Sequence, residues 1–343
     1  AELALKEAPI YASVSSAVNL AKISIKTKYF AGLVNSVSKS LVRVFQENDL
    51  TLKSNLEKNF KNYLIEKYSQ EIAKKIETIY TLHNSIDISI LNQEEVEYWK
   101  EKLGAKLLPT GSLRIKKNKK LSGLSGFKEG KWWVQDISSS IPVKLLDKIK
   151  NMEVLDLFSA PGGKAMQLIA LGANVTCIDS SSIRIKKLKE NLTRMNMNAD
   201  IFQTDFNDFK SKKKFDLVLI DVPCSSTGTI RKNKEIQYLD PFKRLKNLLK
   251  IQEDSLNVAK NFVKDKGYIL YCNCSLFFSE GEDKIRKFIK DNSNWESEKF
   301  IKENKDIDNE WIDKSGFLRL RPDHLYNEGG MDGFFAALLK KIN

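Results

Sequence analysis

Histidine and cysteine are scarce in this chain of 343 residues: it has only His83 and His324, and four cysteines, Cys177, Cys224, Cys272 and Cys274. No CxxC pair repeats, so no resident metal is expected. Four thiols in a chain of this length do not make the disulfide framework of a small secreted domain either. Apolar runs are short, none approaching the roughly 18 uninterrupted residues of a membrane helix. The opening "AELALKEAPIY" lacks the basic-then-apolar order of a secretory signal, and no internal repeat is found. These absences leave a soluble, cytoplasmic protein without membrane association as the expectation. Its 42% hydrophobic content is enough for real cores, and its length for two or three domains.

Negative charge is also in short supply. The formal net charge is +13, and its distribution is uneven: residues 101–150 carry 12 Lys and Arg against 4 Asp and Glu, and residues 201–250 carry 11 against 6. A single lysine cluster is equally well explained as a solvated surface, but two separated basic blocks favour a polyanion such as RNA as partner. In the first block, Arg114, Lys116, Lys117, Lys119 and Lys120 are the candidates for phosphate contact.

Periodicity divides the chain into three. Over residues 12–80 apolar residues recur at spacings of three and four, which predicts a small helical module. Residues 85–130 hold a short strand in "SIDISIL", a helix over "QEEVEYWKEKLG" and a Gly-, Ser- and Lys-rich stretch, which suggests a compact α/β insert with a basic rim. From Trp132 onward strands and helices alternate, predicting a doubly wound, mainly parallel sheet.

In "VLDLFSAPGGKAMQLIA" an apolar strand ends at Phe158, a turn with Pro161, Gly162 and Gly163 follows, and a helix begins. Backbone amides in such a turn can approach a ligand closely at the carboxyl end of a strand. The turn is neither the GxGxxG fingerprint nor the GxxxxGK[ST] phosphate loop, so S-adenosylmethionine is a better guess than a dinucleotide. The next strand, "NVTCID", ends in Asp179, 16 residues beyond Gly163, near the spacing at which an acid meets ribose hydroxyls. A third strand ends at Asp205, placing it near an adenine. Each acid alone could instead cap the following helix. Three successive strand ends with suitable residues weaken that simpler explanation.

The strand "FDLVLID" runs into "DVPCSSTGTIRKNKEI", where Asp221, Pro223 and Cys224 precede Arg231, Lys232 and Lys234. An isolated cysteine in this position is more often a packed small apolar residue. A second motif, "LYCNCSL", changes that reading, because adjacent strand ends converge on one crevice and Cys224 can face the same substrate as one member of this pair. The two thiols of this pair, Cys272 and Cys274, are expected to do different things.

"DLFSAPGGK", "DVPCSSTGTIRKNKEI", "LYCNCSLFFSEGED" and "GGMDGFFAALLKK" together resemble the RNA cytosine-C5 methyltransferases of the Sun/RsmB type. "GKWWVQDISSS" is similar to that family's Val-Gln-Asp entry to the catalytic domain. "SAVNLAK" and "GLVNSV" are similar to the later helices of the NusB-like domain of its bacterial 16S ribosomal RNA members. The resemblance implies a Rossmann-like, S-adenosylmethionine-dependent methyltransferase sheet over 131–343. A small basic α/β segment over 81–130 and a partial all-α NusB-like module over 1–80 would precede it. It implies Cys274 as the nucleophile that adds to C6 of cytosine, Cys224 as the thiol that assists release, and Cys272 as a core residue. The implied cofactor site comprises Phe158, Ser159, Ala160, Pro161, Gly162, Gly163, Lys164, Asp179, Arg184, Asp205 and Asp221. Asp221 would lie against either the base or the methionine end of the cofactor.

A free thiol is only a few per cent ionised at neutral pH, so Arg231 and Lys232 become candidates for lowering the pKa of Cys274, or for holding RNA phosphate. Three positions depart from the family pattern: Asn273 replaces its threonine, Ser226 a glycine, and Lys234-Glu235 a Pro-Asp pair. The expected partner is RNA, ribosomal by the resemblance, with a monomeric enzyme and no DNA. The rival readings are a methyltransferase of tRNA or another RNA, a DNA cytosine methyltransferase, and a non-catalytic RNA-binding protein on the same fold.

Overall fold

The computed structural model describes residues 9–23, 25–47, 56–81, 85–116, 120–300 and 307–342, which group into two units, 1–58 and 59–343. His83, Lys117 and Lys119 lie outside the described residues. The first unit pairs helices α1 (Ile10–Ile23) and α2 (Ala31–Glu47). Its spacing of apolar residues makes two helices but little core: Tyr11, Leu20 and Leu33 are all exposed.

The second unit opens with α3 (Lys58–Lys67) and α4 (Gln70–Thr81). Both belong to the helical stretch expected over 1–80, yet they group with the rest of residues 59–343, burying Phe60, Leu64, Ile76 and Ile79. A small antiparallel sheet follows, built from β1 (Ser85–Ile90), β2 (Lys106–Leu107), β3 (Leu113–Lys116) and β4 (Trp132–Val134) in the order β2-β3-β1-β4, with α5 (Val96–Leu103) beside it. Its core is Ile88, Ile90, Trp99, Leu113, Ile115 and Trp132. Asp136 then caps α6 (Ile137–Lys144) by accepting a hydrogen bond from the Ser138 amide.

The large sheet collects β5 (Glu153–Asp156), β6 (Asn174–Asp179), β7 (Asp200–Gln203), β8 (Phe215–Asp221), β9 (Val263–Asn273), β10 (Trp295–Glu298), β11 (Leu318–Leu320) and β12 (Phe334–Lys341). Helices α7 (Gly163–Ala170), α8 (Ser182–Met195), α9 (Pro241–Ala259) and α10 (Glu282–Asp291) connect them. The order is β10-β12-β9-β8-β5-β6-β7, with β11 pairing β12. Strands β9, β8, β5, β6 and β7 run parallel; β12 joins β9 antiparallel and carries β10 and β11. Runs such as "LVLI" in β8 are apolar on both faces because helices cover both sides of a parallel sheet. Register sets the site: β8 and β9 pair Asp221 with Cys272, so both strands stop at the same level.

Candidate active site

The turn from β5 into α7 carries the first set of expected residues. Gly162 has φ +107°, a conformation that disfavours any side chain, and a Cβ at Gly163 would meet nothing nearer than Gln135 Cγ at 3.9 Å. The turn therefore presents bare backbone at the helix start. Phe158 packs on Phe206 with ring centroids 5.2 Å apart, and the Ser159 amide donates to the Ile178 carbonyl, tying the turn to β6. The Pro161 carbonyl accepts from Asn191 of α8. Ala160 is buried beneath the turn.

At the end of β6, Asp179 is buried, and its Oδ1 accepts from the Ser181 amide and pairs with Arg184 at 3.0 Å. Its Oδ2 is buried without a partner. A ligand with vicinal hydroxyls would supply the missing donor, so these residues fit the ribose of an adenosyl cofactor. Asp205 is exposed at the end of β7, with one oxygen engaged by Asn207 in its own turn. Below the crevice Asp156 is buried with Oδ1 unpartnered; burial, reinforced by Asp221, pushes its carboxyl up to about 8.

Lys164 leaves the cofactor turn for the neighbouring strand end. Its ammonium donates to Asp221 Oδ2 at 2.8 Å and to Ser139 Oγ at 2.7 Å, and lies 4.6 Å from the centre of the Phe334 ring. Burial works against this charge, but Asp221 outweighs it and the net shift is upward. Lys164 therefore stays charged and links the cofactor turn to the strand end that leads to Cys224.

Cys224 follows β8 and Cys274 follows β9, and their Sγ atoms stand 3.4 Å apart. Cys272, two residues before Cys274, shares its side of the strand and not the opposite one: it is fully buried in the core cluster against which Cys274 packs, so depth of burial and not a change of face separates the two thiols. The backbone between the two thiols is drawn tight: the Gly228 amide donates to the Cys274 carbonyl, and the Gly333 amide to the Gly228 carbonyl. A Cβ on Gly228 would sit 2.1 Å from Gly333 O, so only glycine allows this approach. Cys224 is held well above the ordinary thiol range, first by its hydrogen bond with Cys274 and then by burial.

Three charged residues behave differently from expectation. Arg231 is 1% exposed and pairs with Asp136 at 2.9 Å and with Asp332 at 3.5 Å; Lys232 contacts the same two carboxylates. Burial opposes the Asp136 charge, but Lys232 and Arg231 overcome it and lower its pKa, whereas burial and Asp136 push Asp332 up to about 6. Both cations are held by carboxylates of the protein, Arg231 in the interior and Lys232 partly exposed, which removes Arg231 from reach of an RNA phosphate. Arg114 is likewise buried, bidentate to Asp87 at 2.7 and 2.9 Å, with its remaining nitrogen on the Glu328 carbonyl. Lys116 and Lys120 are exposed. Arg114 and Lys116, two residues apart, share one face of β3; Arg114 is covered there by Asp87 and the Glu328 carbonyl, whereas Lys116 stands at the exposed end of the strand.

Residues not singled out in the sequence complete the site. Asp136 and Asp332, in "WVQDI" and "GGMDGFF", anchor the loop that carries Cys224. Glu280, in "FFSEGED", is fully buried behind both thiols. A carboxylate seven residues after a strand end gave no periodic signal that would have marked it as buried.

A family model described as 16S rRNA methyltransferase RsmB/F matches residues 143–340. The chain belongs to the RsmB/F family. That match contains the turn between β5 and α7, both thiols and all of β12 but its last residue. The ribosomal RNA small subunit methyltransferase B of Photorhabdus laumondii subsp. laumondii is 28% identical, covering 85% of this chain and 72% of that protein. The probable counterpart in Synechocystis sp. is also 28% identical and covers 98% and 80%. Among solved structures, PH0851 is 26% identical with a TM-score of 0.74 over 93% of this chain and 75% of that one. NSun6 from Pyrococcus horikoshii, solved with SFG, is 17% identical with a TM-score of 0.69 over 85% and 100%, and shares the fold. As an RsmB/F member on this fold, the chain is an S-adenosylmethionine-dependent RNA methyltransferase.

Proposed function

We propose that this RsmB/F protein methylates C5 of a cytosine in RNA, with 16S ribosomal RNA as substrate, through a covalent bond between Cys274 Sγ and C6. The observation that carries this reading is the meeting of two thiols from adjacent strand ends 3.4 Å apart, at the edge of the cofactor crevice. C5 of cytosine is a weak nucleophile, and addition of a thiolate at C6 makes an enamine whose C5 is electron-rich. S-adenosylmethionine supplies the electrophilic methyl group when bound beside Phe158 to Lys164, Asp179, Arg184 and Asp205. Lys164 holds Asp221 at the junction of cofactor and base, with its oxygens available to accept from either.

After transfer the C5 proton leaves to water, the Sγ–C6 bond breaks and the C5–C6 double bond re-forms. Cys224, kept as a thiol, can then donate a hydrogen bond to the departing Cys274 thiolate and favour its release. In denaturing gels with labelled RNA and cofactor, Cys274→Ala should abolish both methyl transfer and the protein–RNA adduct. Cys224→Ala should accumulate the adduct. The reverse pattern, with the adduct in Cys274→Ala and none in Cys224→Ala, would make Cys224 the nucleophile and overturn these roles.

A further inference from the structure

The residue after each thiol leads to the same buried side chain. Glu280 Oε1 accepts from the Ser225 amide at 2.9 Å and from Gln252 Nε2 at 2.8 Å. Its Oε2 accepts from the hydroxyls of Ser225 and Ser275, each at 2.5 Å. One carboxylate is thus bonded to the Ser that follows Cys224 and to the Ser that follows Cys274. Its donors are an amide, a side-chain amide and two hydroxyls, and among the described residues no Lys or Arg lies within ion-pair distance of it. A buried negative charge solvated only by dipoles keeps its field on the nearest groups able to titrate.

That field is not shared equally. The Glu280 carboxylate bonds directly to the main chain at Ser225, next to Cys224, but reaches the Cys274 segment through the Ser275 hydroxyl, while Asn273 on that side bonds the Glu280 main-chain carbonyl. Other charges around the pair are spoken for. Arg319 of β11 is bound to Glu282 of α10 and donates to the Ser275 carbonyl, Lys164 of α7 is bound to Asp221 of β8, and Arg231 and Lys232 are held by Asp136 and Asp332. Tyr271 of β9 donates its hydroxyl to the Glu280 carbonyl, and α9 contributes the neutral Gln252; Lys284 of α10 feels the Glu280 charge but donates to the Leu249 carbonyl and faces Glu253.

We propose that Glu280 is a positioning residue that decides which of the two thiols carries their shared proton, holding it on Cys224 so that Cys274 is the one that ionises. The proposal rests on the reading of Cys274 as nucleophile and explains how two thiols in contact take different roles. The upward displacement of Cys224, to which Glu280 contributes, is in the required direction. Glu280 acts by its carboxylate charge and by fixing both Cys-Ser segments.

The test is sub-stoichiometric alkylation of the full chain with iodoacetamide across a pH series without RNA, scoring Cys224 and Cys274 separately by peptide mass spectrometry. The parent should label Cys274 first. Glu280→Gln keeps the shape and removes the charge, and should reduce the Cys274-over-Cys224 preference by about threefold or more, in the range that half a pK unit of differential stabilisation produces. Glu280→Asp keeps the charge, and should retain the preference even where its shorter reach slows methyl transfer. An unchanged preference in folded Glu280→Gln, or a preference lost equally in Glu280→Asp, would overturn the proposal. Because the labelling needs no RNA, this outcome stands apart from the fate of the catalytic roles: Cys274→Ala forming a normal adduct would sink those roles, whatever Glu280 does.

Discussion

Ser226 and Asn273 are the two departures from the family pattern that lie within reach of the thiols, and the structure gives each a physical meaning. Ser226 has φ +58°, in the left-handed region that glycine enters without steric cost. Ser226→Gly should therefore relieve local strain and raise stability by about 0.5–1 kcal/mol, measured by chemical denaturation, partly offset by the greater freedom of glycine in the unfolded chain. Asn273 is fully buried; its Nδ2 donates to the Glu280 carbonyl and its Oδ1 accepts from the Ser275 amide. It therefore closes the turn that carries Cys274. The convergence of Cys224 and Cys274 at adjacent strand ends was legible in the sequence, because α/β strand ends converge and thiols are few. Glu280, Asp136 and Asp332 were not, because a carboxylate in a loop reads as solvated until its donors are seen around it.

At the scale of elements, the alternation of strands and helices gave the parallel half of the large sheet, and apolar runs marked its strands. What it did not give was the burial of charged residues. The basic block of 101–150 looked uniform, yet in β3 Asp87 covers Arg114 and Lys116 stays outside. These two kinds of cation should separate cleanly in solution. Arg114→Gln leaves a buried carboxylate unpaired and should cost about 3 kcal/mol of stability, read by denaturant titration, with little change in the salt dependence of RNA binding. Replacing Lys116 and Lys120 together with Gln should leave stability alone and, if both meet phosphate, reduce the slope of log K against log salt by about 0.7 for each. The helical hairpin α3–α4 was legible as helix but not as a catalytic support. The Tyr68 hydroxyl donates to the Leu276 carbonyl, and the Phe278 amide donates to the Tyr63 hydroxyl, so both tyrosines hold the loop that follows Cys274.

For the whole molecule, buried ionisable groups set how stability responds to acid. His324 stacks on Trp311 with ring centroids 5.3 Å apart, and burial, with Arg321 nearby, lowers it to about 4. Between there and the ordinary histidine value the unfolded chain binds a proton that the folded protein does not. Its stabilising contribution is therefore complete above roughly pH 6.5 and is lost as pH falls towards 4, by an amount on the order of 3 kcal/mol. Asp156 and Asp332, both pushed up, act with the opposite sign, so the effect of His324 is best read as a difference. The stability of the parent minus that of His324→Phe should fall over this pH interval, and a constant difference would show that the imidazole titrates normally. The sheet order has a consequence for synthesis. Strand β12 lies between β9 and β10 and places Asp332, Gly333 and Phe334 against the thiol loop and Lys164, although it follows Cys274 by some sixty residues in the chain. During translation both cysteines leave the ribosome well before the segment that packs them. A nascent chain therefore carries both thiols before the strand that closes their loop exists, and any chemistry that needs the assembled pair must wait until β12 has been made.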